Sequence, residues 1–366
     1  SSDPFPYLSK FVNKSDVIQP NYWVRDLELM HHWVTEAHLT VSPREDIGHM
    51  WRILTPKQAI TRHYLMHELL AFSALHIAST QTDKTKAFYG LGIHHQDLAI
   101  RSMRKVLPNM TVENAGALAV TSALLCLTVF SARGLESALS TNEATSKITV
   151  VDDLLDIFYL MQGIGSILWR GAGAIAQGPF AAMLNRPLKD MAAPPLPILE
   201  DTRVQIEHIT AFIGTQDLPA AEAATVKAAL GGLEAMRQYA LSAEDSIEIR
   251  FVFVTVLKFS PDFLELFRTR QSSALAVMSI YANLLKASEA TLWFMKGWGE
   301  RLIRTIGECI DPIWQPAIQW SWDYIIITPQ EGSTQPSQSQ LQPPLNGPSD
   351  VLVDGSPHGM QEHAVD

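Results

Sequence analysis

The chain has 366 residues, with 28 Lys and Arg against 38 Asp and Glu, a formal net charge of −10. That balance excludes a chain that grips nucleic acid through its own clustered cations. Hydrophobic residues at 47% and charged residues at only 18% exclude a mostly disordered chain and require a large core. Cys126 and Cys309 are the only cysteines, too few for a disulfide framework or a cysteine-based zinc site; they fit a reducing compartment, nucleus or cytoplasm.

Residues 1–20 form a polar lead-in, without the basic start and apolar stretch of a signal peptide. A helix is expected over 22–37. Thr55-Pro56-Lys57-Gln58 combines a capping threonine, a first-turn proline and a glutamine at capping-box spacing, which predicts a helix start there. Leu65, Leu69 and Phe72 then recur on one face, and Tyr64, Leu75 and Ile77 widen it, as in a deeply buried helix. Further helices are expected over 85–107 and 113–132. Asn114 to Ala132 carries no charge and approaches the roughly 17–25 residues that span a bilayer. Its Thr121, Ser122, Thr128 and Ser131, and the lack of a partner span, make it the central buried helix instead.

GLESALSTNEATSK (134–147) reads as a polar connection before a helix over 152–169. RPLKDMAAPPLPILED (186–201) holds four prolines and separates two helical halves. Helices follow over 219–240 and 244–259, from the start signal at Ser260-Pro261, and over 273–294 and 296–310. Phe251 to Val256 is rich in strand formers but lies inside a helical pattern, and Ile325 to Ile327 closes the last helix. From Pro329 to Asp366 the chain is rich in Pro, Ser and Gln and reads as a disordered tail. Both halves are apolar enough to need each other. The expectation is one all-α domain over 21–328, of roughly ten or more helices, with an internal apolar pocket.

Asp152-Asp153-Leu154-Leu155-Asp156 places carboxylates one helical turn apart, a spacing that can hold magnesium against a diphosphate. The simpler reading is an acidic first turn complementing the helix dipole. His63 and His67 lie four apart, but Ala71 occupies the place that an HExxH zinc motif reserves for its second histidine, so these are core or capping residues. Gly171 to Ala176 fits a loose dinucleotide fingerprint without the strand that motif follows, and reads as a loop. Trp293, Phe294 and Trp298 lie close together around Lys296. They suit either core packing or the wall of an apolar ligand pocket.

In order along the chain stand LELMHHW (27–33), Trp51-x4-Pro56-x2-Ala59, LMHELLAFSALHIA (65–78), YGLGIHHQDLAIRSMRKVL (89–107), DLLDIFYLMQGIGSIL (153–168) and ALAVMSIYANLLKASEATLWFMKGWGERLIRTI (274–306). This succession, over roughly residues 25–323, resembles the regulatory domain of fungal binuclear zinc-cluster transcription factors, the sterol uptake control group above all. Gln162 and Ser321 depart from that pattern, where Arg and Pro are usual. The resemblance implies an all-helical, often homodimeric domain whose pocket holds a sterol or another lipophilic molecule, with DNA bound only through a zinc cluster absent from this chain. The pocket lining expected on that basis is Met66, Leu69, Phe72, Leu127, Phe130, Tyr281, Trp293 and Trp298, with no cofactor and no membrane span. A second resemblance, to atypical humulene-type terpene cyclases, implies the alternative of a magnesium-dependent sesquiterpene cyclase. Asp152, Asp153 and Asp156 would then hold Mg2+, and Lys296 would meet the diphosphate of farnesyl diphosphate.

Overall fold

In the computed structural model, residues 22–42, 47–139, 143–184, 197–241 and 247–327 are described; all of them are helix or short connection, with no strand among them. The helices are α1 (Tyr22–Thr35), α2 (Thr55–Ala59), α3 (His63–Thr80), α4 (Thr85–Val106), α5 (Val112–Leu139), α6 (Glu143–Ala176) and α7 (Pro197–Gly214). After them come α8 (Ala220–Leu241), α9 (Ile247–Val256), α10 (Pro261–Arg268), α11 (Ser272–Ser288), α12 (Trp298–Cys309) and α13 (Gln319–Ile327). Ser1–Thr328 make one compact unit, and Pro329–Asp366 a second that lies outside the described residues, as does the lead-in 1–20.

Two helices organise the packing because their sequences are apolar all round. α3 is buried from Tyr64 to Ala78 except at Met66 and His67, and packs on α1, α4 and α5. α11 is buried from Ser272 to Leu285 and meets α7, α8, α9, α10, α12 and α13. α5 is long and apolar enough to cross a membrane, but 89% of its apolar window is buried inside the protein. A single core cluster runs from Trp33 to Ile318 and joins the helices before and after the proline-rich break, whose residues 185–196 are not described.

Several boundaries differ from the sequence expectation. A π-helical stretch, Met50–Leu54, already runs into Thr55, whose hydroxyl donates to the Met50 carbonyl at 2.8 Å instead of capping. α2 ends at Ala59, and the buried helix starts afresh at His63 after an extended Arg62. α5 continues through residues 134–139, so the polar connection is shorter than its composition suggests. α6 begins at Glu143, which puts Asp152 well inside a helix and removes the helix-start explanation of the aspartates. Gly171 to Ala176 end α6 and do not form a loop. A Cβ at Gly171 would stand 3.0 Å from Met110 Sδ, so close packing accounts for that glycine.

α7 is absent from the expected elements. Its Pro197 looks like part of the break but opens the helix, where a missing N–H costs nothing. The stripe Leu199, Thr202, Ile206, Ile209 and Ile213 then faces the core. The helix expected over 273–294 stops at Ser288, because Trp293–Met295 form a 3-10 turn and Gly297 takes a left-handed φ of 81° before α12. Ser260 caps α10 as expected, accepting from the Phe263 N–H at 3.2 Å. Ser242-Ala243-Glu244-Asp245, which reads in the sequence as a further helix start, lies outside the described residues.

Candidate functional site

The eight residues expected to line a pocket all belong to the main core. Leu69, Phe72, Leu127, Phe130, Tyr281 and Trp298 are buried, and Met66 and Trp293 pack against them half-buried. α3 brings Phe72 edge-on to Trp293, with ring centroids 5.2 Å apart, and edge-on to Trp33 at 5.6 Å. α5 brings Phe130 against Trp298 at 5.5 Å and Phe253 at 5.7 Å. Tyr281 belongs to a different aromatic group. It packs on Phe158 and Phe259 and donates its hydroxyl to the Val252 carbonyl at 3.1 Å.

The segment 293–298 therefore bridges α3 and α5 through its two tryptophan rings. Trp293 Nε1 donates to Thr40 Oγ1 and Trp298 Nε1 to the Phe130 carbonyl, both at 3.0 Å. Arg301 reinforces the link: its guanidinium lies 4.7 Å from the Trp298 ring centroid and its Nε donates to the Gly297 carbonyl at 3.0 Å. Lys296 is exposed, outside this aromatic junction.

A polar chain crosses the same region. Gln96 Nε2 on α4 donates to Thr128 Oγ1 on α5 at 2.9 Å, and that hydroxyl donates to Glu68 Oε1 on α3 at 2.7 Å. Glu68 is wholly buried, which pushes its carboxyl up to about 8, while the Thr128 bond acts in the opposite sense. Cys126, also buried, is pushed up to about 12 by its surroundings and by Glu68. The sequence hid this chain because Glu68 reads only as the second letter of a failed zinc motif. The clue was its place on a helix that is apolar on nearly every side.

Histidines form two further pairs around α3. His32 Nε2 and His76 Nδ1 are 2.8 Å apart, and the His76 ring lies edge-on to Trp293 at 5.1 Å. His67 Nδ1 and His95 Nδ1 are 3.2 Å apart, with Asp26 Oδ1 3.4 Å from His95 Nε2. All four imidazoles are held below their ordinary value, first of all by burial.

The three aspartates do not gather into one group. Asp152 and Asp156 are exposed on α6, Asp152 facing Arg270 at 3.5 Å. Asp153 is half-buried beside Arg133 at 3.7 Å, and burial raises its carboxyl. Among the described residues no group of three or more His, Cys, Asp or Glu is gathered to hold a metal ion. Gln162 and Ser321, the two departures from the regulatory-domain pattern, have structural work. Gln162 Nε2 donates to the carbonyls of Val256 and Phe259 at the end of α9, and Ser321 Oγ accepts from Asn283 Nδ2 at 2.9 Å.

No family model matches the chain. Parts of it are similar to curated fungal proteins. Sterol uptake control protein 2 of Saccharomyces cerevisiae is 34% identical over 103 residues, 28% of this chain and 11% of the relative. Sterol uptake control protein 2 of Candida albicans is 31% identical over 111 residues, 30% of this chain and 15% of the relative. The Zn(2)-C6 fungal-type transcription factor afumD of Aspergillus fumigatus is 24% identical over 135 residues, 36% of each chain. The matched segments thus span between about a tenth and a third of these relatives. The similarity supports, over part of this chain, a relationship to fungal transcription factors of the zinc-cluster type.

Proposed function

We propose that residues 21–328 are the ligand-sensing regulatory region of a fungal zinc-cluster transcription factor, working by binding and not by chemistry. The ligand is a sterol-like or other lipophilic molecule, held where α3, α5 and the 293–298 segment meet. The observation that carries this reading is the junction itself: Phe72, Trp293, Phe130 and Trp298 come from three separated segments onto one apolar seam. Similarity to sterol uptake control proteins supports the ligand class. In this reading a ligand wedges between the wall helices and the 293–298 segment, and so favours one of two packings of that segment. DNA contact falls to a zinc cluster outside this chain, the working location is the nucleus, and the active form is a homodimer.

The test is saturable binding of dehydroergosterol, a fluorescent sterol, read by energy transfer from tryptophan. Wild-type chain is expected to bind it, and Phe72→Ser and Trp293→Ser each to weaken binding by roughly tenfold while remaining folded by circular dichroism. No saturable sterol binding by the wild type, or unchanged binding in both folded variants, removes the proposal.

A further inference from the structure

We infer that Glu68 is the polar anchor of this site, its Oε2 engaging the single hydroxyl or carbonyl oxygen of an otherwise apolar, uncharged ligand. The inference rests on the ligand-sensing reading above and names the chemistry of its ligand. Glu68 lies one helical turn before Phe72 on the same side of α3, between Met66 and Leu69. Across from it, Thr128 sits between Leu127 and Phe130 on α5. Oε1 is satisfied by Thr128, but Oε2 is buried and meets no hydrogen-bond partner in the protein. A core that needed only packing would have no use for a carboxyl here, since an unpaired buried polar oxygen destabilises the fold.

A second orphan points the same way. Ser131 stands one turn beyond Thr128 on the same face of α5, and its Oγ is also buried without a partner. A ligand hydroxyl both donates and accepts, so it can answer a carboxyl from one wall and a serine from the other. Burial raises the Glu68 carboxyl to about 8, so at neutral pH it carries a proton that Oε2 can donate to a ligand oxygen.

The experiment compares dehydroergosterol with its 3-deoxy hydrocarbon on the full chain, as wild type, Glu68→Gln and Glu68→Met. Wild type should prefer the hydroxylated sterol by roughly tenfold. Glu68→Met should abolish that preference with the deoxy compound bound as before, whereas Glu68→Gln, whose amide still donates, should keep most of it. A preference that survives Glu68→Met overturns the anchor. Equal wild-type affinity for the two compounds also overturns the anchor and leaves the ligand-sensing reading standing; binding of neither compound overturns both. Should Glu68→Met fail to fold, infrared spectra of the wild type must show the buried carboxyl C=O band of Glu68 shift on adding dehydroergosterol and not on adding the deoxy compound; an unshifted band overturns the anchor.

Discussion

Glu68 and the four paired histidines respond to pH in opposite senses. Folded His32, His67, His76 and His95 resist protonation, whereas the unfolded chain takes up those protons near the ordinary 6.5. Their contribution is therefore full above about 6.5 and is lost as pH falls toward about 4, the value to which His76 is lowered. The folded Glu68 carboxyl keeps its proton up to about 8, against an ordinary 4.5, so its contribution is full below 4.5 and is lost as pH rises toward 8. Four groups outweigh one on the acid side, and Glu68 acts alone above it. Stability from denaturant unfolding should peak near pH 6.5, and Glu68→Gln should flatten the alkaline slope. A flat profile across pH 5 to 8 would contradict this balance. Millimolar magnesium should leave the thermal midpoint unchanged, since Asp152 and Asp156 are exposed and Asp153 lies beside Arg133, and a clear upward shift would favour the cyclase alternative.

At the scale of the element, the sequence was legible where one force dominated. α3, α5 and α11 are apolar on every side, so burial left them no alternative environment, and Ser260 capped where its type and position suggested. Legibility failed where a local signal competed with packing. Thr55 carries a cap signature, yet a π-helical turn arrives from Met50 and takes its hydroxyl. Pro197 belongs to a proline-rich run and still opens α7, betrayed only by the 3-4-3-4 spacing of Leu199, Thr202, Ile206, Ile209 and Ile213. Trp293 and Trp298 stand out in the sequence and pack on Phe72 and Phe130, whereas Tyr281 packs on Phe158 and Phe259, because ring size does not say which neighbours a helix will meet. The polar chain Gln96–Thr128–Glu68 was illegible because its members lie on three helices whose pairing the sequence does not print. Close approach also sets a test at this scale. A Cβ on Gly299 would stand 2.5 Å from the Lys286 backbone nitrogen, so Gly299→Ala must push α12 away from α11. The expected loss is about 1–3 kcal/mol in chemical denaturation, and an unchanged midpoint would show that the two helices can part freely.

At the scale of the whole molecule, the continuous core from Trp33 to Ile318 predicts one cooperative unfolding transition for the two helical halves. Two separated transitions by near-ultraviolet and far-ultraviolet circular dichroism would divide them. The 293–298 segment adds a constraint in time. Trp293 reaches Thr40 across 253 positions of sequence, and Trp298 reaches Phe130 across 168. Closing such long loops comes late in folding. A growing chain carries Phe72, Phe130 and their apolar neighbours out of the ribosome long before the tryptophans that cover them exist. For that interval the nascent protein exposes the apolar faces that the tryptophans later cover, and a chaperone that shields apolar helices is the natural stand-in until residue 298 emerges.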